Sequence, residues 1–261
     1  MPSSNDVTEL LRSLGFRASK EALRALLEEA TKSRLSPVQF AEKLSELERR
    51  ERATRNLAAR TKAAALGTFK TLDRFDWNHP RTIDRDLYER LATSLDFLDA
   101  GNNVLLRGQS GVGKTTLAQN FGLAALTQGY TVRFTTLALC MADLLKQESV
   151  PALERRLRRY THVDLLICDE LGYLPFDSRS ADLLYNIITR RHETRSTVIT
   201  TNLAFKQWGT IFPGAAGIGA LIDRFSQDCH VIDIDADSWR QKNPRDPVHT
   251  SSPTKRRQKR R

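Results

Sequence analysis

The sequence predicts an α/β fold with a parallel sheet, and two stretches carry this prediction. In the first, an apolar strand at residues 103–107 leads through a glycine-rich segment into a helix at residues 116–128. In the second, the apolar residues 164–170 end in two acids. Strands that are apolar throughout are typical of parallel sheets covered on both faces. Strands and helices also alternate along the chain, as such a sheet requires.

The glycine-rich segment, residues 108–115, matches the pattern of glycine, four residues, glycine, lysine and serine or threonine. Its glycines let backbone N–H groups converge, and the next helix turns its positive dipole end toward an anion. We expect Lys114 to neutralise the β- and γ-phosphates and Thr115 to bind Mg²⁺. An ordinary glycine-rich turn is the alternative, which the flanking strand and helix disfavour. The predicted nucleotide contacts are Gly108, Ser110, Gly111, Val112, Gly113, Lys114, Thr115 and Thr116.

Polar residues end two further predicted strands. Asp169 and Glu170 close the apolar strand, where ligands bind in open α/β sheets. Asp169 is expected in the Mg²⁺ shell, and Glu170 is expected to deprotonate the attacking water. A surface acid pair is the alternative. Asn202 ends a β-branched strand at residues 196–202; it is either a turn former or a ligand of the attacking water or γ-phosphate.

The remaining elements divide the chain into three parts. Residues 1–66 read as a helical N-terminal domain, with Ser36 capping a helix that begins at Pro37 and stops at Gly67. The apolar residues of segment 68–102 either seal this domain or wall the adenine pocket. The α/β domain covers 67–240, and the basic segment 241–261 is expected to be disordered. The other predicted elements are helices at 84–100, 138–147, 152–160, 178–193 and 220–226, and strands at 131–135 and 230–234.

The charge balance favours a polyanionic partner. The formal net charge is +10 and the pI is about 9.8. The candidate DNA-backbone contacts lie on two predicted helices. The alternative is that these arginines form an ordinary solvated helix face. They are Arg49, Arg50, Arg52, Arg55, Arg155, Arg156, Arg158 and Arg159. Three separated cysteines, a polar N-terminus and the lack of a long apolar run predict a cytoplasmic protein without membrane attachment.

Four segments together resemble a known family. They are the glycine loop 108–115, residues 169–176 (DELGYLPF), residues 201–208 (TNLAFKQW) and residues 221–225 (LIDRF). They are similar to those of the IstB transposition helper ATPases of bacterial insertion sequences. These are AAA+ proteins related to DnaC-type helicase loaders and to DnaA. The chain departs from the family at Thr116, where histidine is frequent, and at Gln227-Asp228, where a histidine-rich pair is usual.

The resemblance implies an AAA+ P-loop domain with a five-stranded parallel sheet behind a small all-α domain. It also implies ATP, Mg²⁺, and ring or helical homo-oligomers on double-stranded DNA. Asn202 would be the sensor of the attacking water. Arg224 would be the finger that reaches the γ-phosphate of a neighbouring subunit; a surface partner for Asp223 is the alternative. Guanine recognition is disfavoured because the sequence has no Asn-Lys-x-Asp motif.

These expectations give a hypothesis of an ATPase that assembles on duplex DNA and assists a cognate transposase. A replicative helicase loader that binds single-stranded DNA and a helicase is the first alternative. A nucleotide-gated scaffold with slow turnover is the second.

Overall fold

The computed structural model describes residues 4–173 and 175–239. Leu174 and the basic segment predicted at 241–261 lie outside the described residues. Within them, one sheet has the strand order β1-β6-β2-β5-β4-β3. The strands are β1 (Thr82–Ile83), β2 (Asn103–Gly108), β3 (Val132–Thr136), β4 (Leu165–Leu171), β5 (Ser196–Thr201) and β6 (Cys229–Asp235).

The helices connect and flank these strands. They are α1 (Ser4–Ser13), α2 (Lys20–Lys32), α3 (Pro37–Ala64), α4 (Arg85–Ser94), α5 (Asp96–Asp99), α6 (Lys114–Gln128), α7 (Leu137–Leu145), α8 (Val150–Thr161), α9 (Ser178–Arg191), α10 (Trp208–Ile211) and α11 (Ile218–Ser226).

The prediction of five strands is wrong by one. Strands β2 to β6 are the five predicted strands, and all their pairings are parallel. The sixth strand, β1, pairs antiparallel with β6 at the sheet edge. Two residues are too few to show a strand period in a sequence, so this element left no signal.

Alternate residues of the central strands enter two separate cores, as the two-residue period of a strand requires. On β2, Val104 and Leu106 face a core that includes α4 and α6. Leu105 faces the other core, which includes α7, α9 and α11. The sheet is therefore covered on both faces, and its polar residues collect where the strands end.

Three of the differences from the predicted helix boundaries have a clear local cause. The helix predicted at 84–100 is broken at the buried Leu95, whose φ of 55° ends α4 before α5 begins. Pro151 lies inside the first turn of α8, where a missing N–H costs nothing, and not between two helices. Helix α3 ends at Ala64 and is followed by Ala65 with a φ of 56°, two residues before the predicted stop at Gly67.

Helix α3 links the N-terminal helices to the α/β core. Near its middle, the buried carboxylate of Glu48 accepts hydrogen bonds from the N–H groups of Arg17 and Ala18, just before α2. At its end, Ala64 is buried in the core that contains α6, and Leu57 packs against the same core. The division at residue 66 stays a prediction.

Candidate functional site

The glycine loop joins β2 to α6 in a conformation that only glycine adopts without strain. Gly111 and Gly113 have φ values of 83° and 98°. A Cβ atom on Gly108 would lie 2.3 Å from the carbonyl oxygen of Ile234 on β6. Helix α6 begins at Lys114, two residues earlier than predicted, so the N–H groups of its first turn lie at the end of the loop.

Lys114 lies against this loop. Its ammonium group donates to the carbonyl oxygens of Gly108 and Gln109, both at 2.7 Å. The cation and the N–H groups that begin α6 therefore lie together, which is the arrangement that a phosphate chain requires. The loop residues fit a nucleoside triphosphate.

Thr115 and Asp169 meet across the crevice between α6 and β4. The Thr115 hydroxyl donates to the two carboxylate oxygens of Asp169 at 3.1 and 3.0 Å. Asp169 is 3% exposed, so its carboxylate has a fixed position. A hydroxyl and a carboxylate are oxygen ligands of the kind that Mg²⁺ prefers, and Mg²⁺ is commonly held by few protein groups plus substrate phosphates. These two residues fit the predicted metal site.

Glu170 has a backbone unlike that of its neighbours. Cys168 pairs with Ile199 and Leu171 pairs with Thr201, so Asp169 and Glu170 together lie opposite the single residue Thr200. Glu170 has a φ of 63° and an exposed side chain. A non-glycine residue in such a conformation costs about 1–3 kcal/mol and is characteristic of functional sites. The bulge buries Asp169 and exposes Glu170, so the two acids have different surroundings.

Asn202 follows β5 directly and lies beside the turn after Glu170. Its side-chain oxygen is 3.3 Å from the position of a Cβ atom on Gly172. The structure therefore brings the segment after β4 and the segment after β5 together at the carboxyl edge of the sheet. In the strand order, β5 is adjacent to β2, and β4 lies one strand further away.

Arg224 lies elsewhere. From α11 its guanidinium donates to the Thr189 hydroxyl on α9 at 2.6 Å and lies 5.1 Å from the centre of the Tyr185 ring. Thr189 is two residues before Arg191, which bonds the residues at the start of β4 and β5. Arg224 therefore lies toward the amino edge of the sheet, away from the glycine loop of its own chain.

Sequence reasoning missed the contacts on the outer side of the loop. The backbone N–H of Trp239 donates to the carbonyl oxygen of Gly111 at 3.1 Å, and Ser238 occupies the space where Gly111 would carry a Cβ. The His79 ring meets the Trp239 ring edge-on at 4.8 Å. Phe75, one of the apolar residues of segment 68–102, covers Gly113. These contacts could have been predicted only from the strand order, because Ser238 and Trp239 follow β6 and β6 lies beside β2.

The predicted DNA contacts on α8 differ in their environments. Arg155, Arg158 and Arg159 are exposed. Arg156 instead forms a bidentate ion pair with Asp143 of α7. This pairing lowers the pKa of Asp143 below its usual range.

The predicted contacts on α3 also divide into two groups. Arg49 and Arg50 are exposed. Arg52 pairs with Glu48, and Arg55 donates to the carbonyl oxygen of Arg17 at 2.6 Å. The second pair therefore holds the N-terminal helices together in this conformation.

Comparison with known proteins shows a family that this chain matches. The model of the family described as IstB-like ATP binding protein matches residues 9–246. The chain is 34% identical over 241 residues to the insertion sequence IS21 putative ATP-binding protein of Pseudomonas aeruginosa, covering 92% of this chain and 91% of that one. It is 32% identical over 241 residues to the IS232 putative ATP-binding protein of Bacillus thuringiensis subsp. berliner, covering 92% and 96%.

Solved structures show the same fold at lower identity. DnaI is 19% identical with a TM-score of 0.52, covering 64% of this chain and 89% of DnaI. AMPPCP-bound DnaA from Aquifex aeolicus is 23% identical with a TM-score of 0.52, covering 66% and 52%. The fold is that of the AAA+ P-loop proteins. In the described part of the chain, no helix combines the length and the apolar character needed to span a bilayer. The chain belongs to the family of IstB-like ATP-binding proteins.

Proposed function

We propose that this protein is an ATPase that assembles on duplex DNA and assists a transposase. The observation that carries the proposal is the arrangement at the carboxyl edge of the sheet. There, the glycine loop and Lys114 lie beside the Thr115–Asp169 pair, and Glu170 lies exposed beside Asp169. The names of the relatives place them in insertion sequences, which supports a transposase as the partner.

In this proposal each group of the site has one task. The loop N–H groups and Lys114 bind and neutralise the phosphates of ATP. Thr115 and Asp169 would hold Mg²⁺, which supplies charge neutralisation for the transferred phosphoryl group. Glu170 orients the attacking water and accepts its proton, and Asn202 fixes that water by a hydrogen bond.

Assembly follows from the position of Arg224. Because this cation lies toward the opposite edge of the sheet from its own glycine loop, it is available to the site of a second copy. A cation supplied in trans stabilises the charge of the transferred phosphoryl group and can raise hydrolysis by about 10³–10⁵-fold. Each site is then complete only within an oligomer, so Arg224→Ala should assemble poorly and hydrolyse slowly. Normal assembly and turnover of this variant would remove the assignment.

The basic surface supports DNA as the ligand. Arg133 of β3 donates to the carbonyl oxygen of Ala63 at the end of α3. Burial, followed by the charge of Arg159, lowers the pKa of Arg133. Helix α8 is paired through Arg156 with Asp143 of α7, the helix that follows β3 directly. The exposed arginines of α8 and the end of α3 therefore flank one sheet edge. Guanidinium groups along such a surface bind phosphates without reading bases.

The decisive experiment uses Glu170→Gln, which should bind ATP and retain it. We expect ATP-dependent assembly of this variant on duplex DNA, with particle mass in sedimentation increasing with duplex length. Single strands of the same length and nucleotide-free protein are the controls. Assembly on single strands alone, or only with a helicase present, would instead favour a helicase loader. Hydrolysis by Glu170→Gln at the wild-type rate would contradict the base assignment.

A further inference from the structure

A buried threonine on β5 connects the two acids of β4. The Thr200 hydroxyl donates to the Asp169 carboxylate, and its oxygen accepts the Glu170 N–H at 3.0 Å. Thr200 is 1% exposed. Because Asp169 also accepts from Thr115, a chain of hydrogen bonds runs from the first turn of α6 to the backbone of Glu170.

The Glu170 N–H needs this partner because of the bulge. Two residues of β4 face one residue of β5 at this point, so the regular ladder is interrupted. A side-chain oxygen replaces the missing backbone acceptor. On the far side of the bulge, the Thr201 hydroxyl donates to the Leu171 carbonyl oxygen at 2.7 Å. Two hydroxyl groups of β5 thus hold the irregular part of β4, and the Thr200 hydroxyl holds the residue with φ of 63°.

A simpler explanation is that Thr200 is a β-branched strand residue whose hydroxyl finds any available partner. Thr197 on the same strand is an example of that kind. It is fully buried, and its hydroxyl accepts from Arg191 at 3.0 Å. Thr200 differs because both of its partners are the acids at the candidate catalytic edge. A comparison of variants at Thr197 and Thr200 therefore separates a general packing effect from an effect on Glu170.

We infer that Thr200 is a positioning residue for hydrolysis: its hydroxyl holds the Glu170 backbone in the conformation that presents the carboxylate to the attacking water. Thr200 does not touch the reacting atoms and acts through Glu170. The inference rests on the proposed role of Glu170 as the base. In this inference β5, which lies between β2 and β4 in the sheet, aligns the base with the metal-binding carboxylate.

The test compares Thr200→Val, which keeps the shape of the side chain and removes the hydroxyl, with Thr200→Ser, which keeps the hydroxyl. Because a misplaced base loses much of its effect, Thr200→Val should lower kcat by about 10- to 100-fold. ATP affinity and KM should stay near the wild-type values, and Thr200→Ser should recover most of the rate. Thr197→Val is the matched control, which should lower Tm and leave kcat nearly unchanged.

A double-mutant cycle gives the sharper result. In single-turnover experiments, Thr200→Val should have no further effect when Glu170 is already Gln, because the alignment of an absent base has no consequence. If the two effects are additive, or if Thr200→Val alone has the wild-type kcat, the inference is overturned. Hydrolysis by Glu170→Gln at the wild-type rate overturns the base assignment and the inference with it. The two failures are distinguished by Glu170→Gln alone.

Melting temperature and ATP binding establish whether each variant is folded. If Thr200→Val does not fold, Thr200→Cys replaces it, because a thiol has similar volume and bonds only weakly. An intermediate kcat with normal ATP affinity supports the inference, and a wild-type kcat contradicts it.

Discussion

Arg191 is a buried cation, 1% exposed, whose guanidinium bonds neutral oxygens. Its guanidinium donates to the Thr197 hydroxyl and to the carbonyl oxygens of Tyr160, Val163, Asp164 and Ser196. Burial lowers the pKa of Arg191 to about 9, so the group stays charged at neutral pH. One side chain therefore joins α8, β4, α9 and β5.

We expect Arg191→Leu to lower the free energy of unfolding by at least about 3 kcal/mol, because several buried carbonyl oxygens lose their donors. The measurement is urea denaturation at pH 7. Arg190→Ala is the control: Arg190 is next in sequence but forms a partly exposed ion pair with Glu154, and its loss should cost less than about 1 kcal/mol. Equal effects of the two variants would contradict this account.

At the residue scale, the sequence indicated which residues form the candidate site but not their backbone conformation. The glycine loop and both acids were identified from residue type and spacing, which are local properties. The left-handed backbone of Glu170 was not predicted, because it depends on a register shift against β5. The pairing of Arg156 with Asp143 was missed for the same reason: it depends on how α7 and α8 pack.

At the scale of elements, Glu48 of α3 stabilises the start of α2. Burial by itself raises the pKa of Glu48, but hydrogen bonds from Arg52 and from the N–H groups of Ala18 and Arg17 outweigh it, so the pKa lies below the usual 4.5. A carboxyl whose pKa is lowered on folding stabilises the fold above its unfolded pKa. This contribution is lost as the pH falls through the lowered value.

Glu48→Gln should therefore weaken the N-terminal helices at pH 7 and have a smaller effect at low pH, where the wild-type carboxyl is itself protonated. Hydrogen exchange of the Ala18 amide, measured at both pH values, checks this expectation. Glu46→Gln is the control, because Glu46 is an exposed residue of the same helix. The explanation fails if both variants exchange alike at pH 7.

Elements with a long apolar pattern were predicted well, and short elements were not. Each predicted strand is present within about one residue of its expected bounds. The antiparallel β1 and the short helix α10 were missed, because two and four residues carry no periodic signal. The break at Leu95 was also missed, since a leucine at positive φ is set by its burial in the core and not by local preference.

At the scale of the whole molecule, the exposed arginines of α8 provide a test of DNA binding. We expect the triple variant Arg155→Ala, Arg158→Ala, Arg159→Ala to bind duplex DNA more weakly. The slope of log K against log salt should decrease by about one per lost phosphate contact. Binding is measured in the Glu170→Gln background, so that hydrolysis does not change the occupancy.

Arg90→Ala is the matched control, because this exposed arginine lies on α4, which packs on the opposite face of the sheet from α8. Its salt slope should remain that of the parent. If the triple variant keeps the parental slope, α8 is not the DNA surface. The net charge and the arginines of 155–159 predicted a polyanionic partner from the sequence, but which of these arginines are exposed depends on how α8 packs against α7 and α9.

The contact between Trp239 and Gly111 allows tryptophan fluorescence to report on the glycine loop. Of the three tryptophans in the chain, Trp208 is fully buried and Trp77 packs between Phe75 and Tyr88. Trp239 is partly exposed, and its backbone N–H bonds the loop, so its indole ring lies beside the loop. Its indole emission should therefore shift when ATP enters, and Trp239→Phe should abolish that signal. The wild-type chain thus carries its own fluorophore, with which loading and release of nucleotide can be timed by stopped flow without any label.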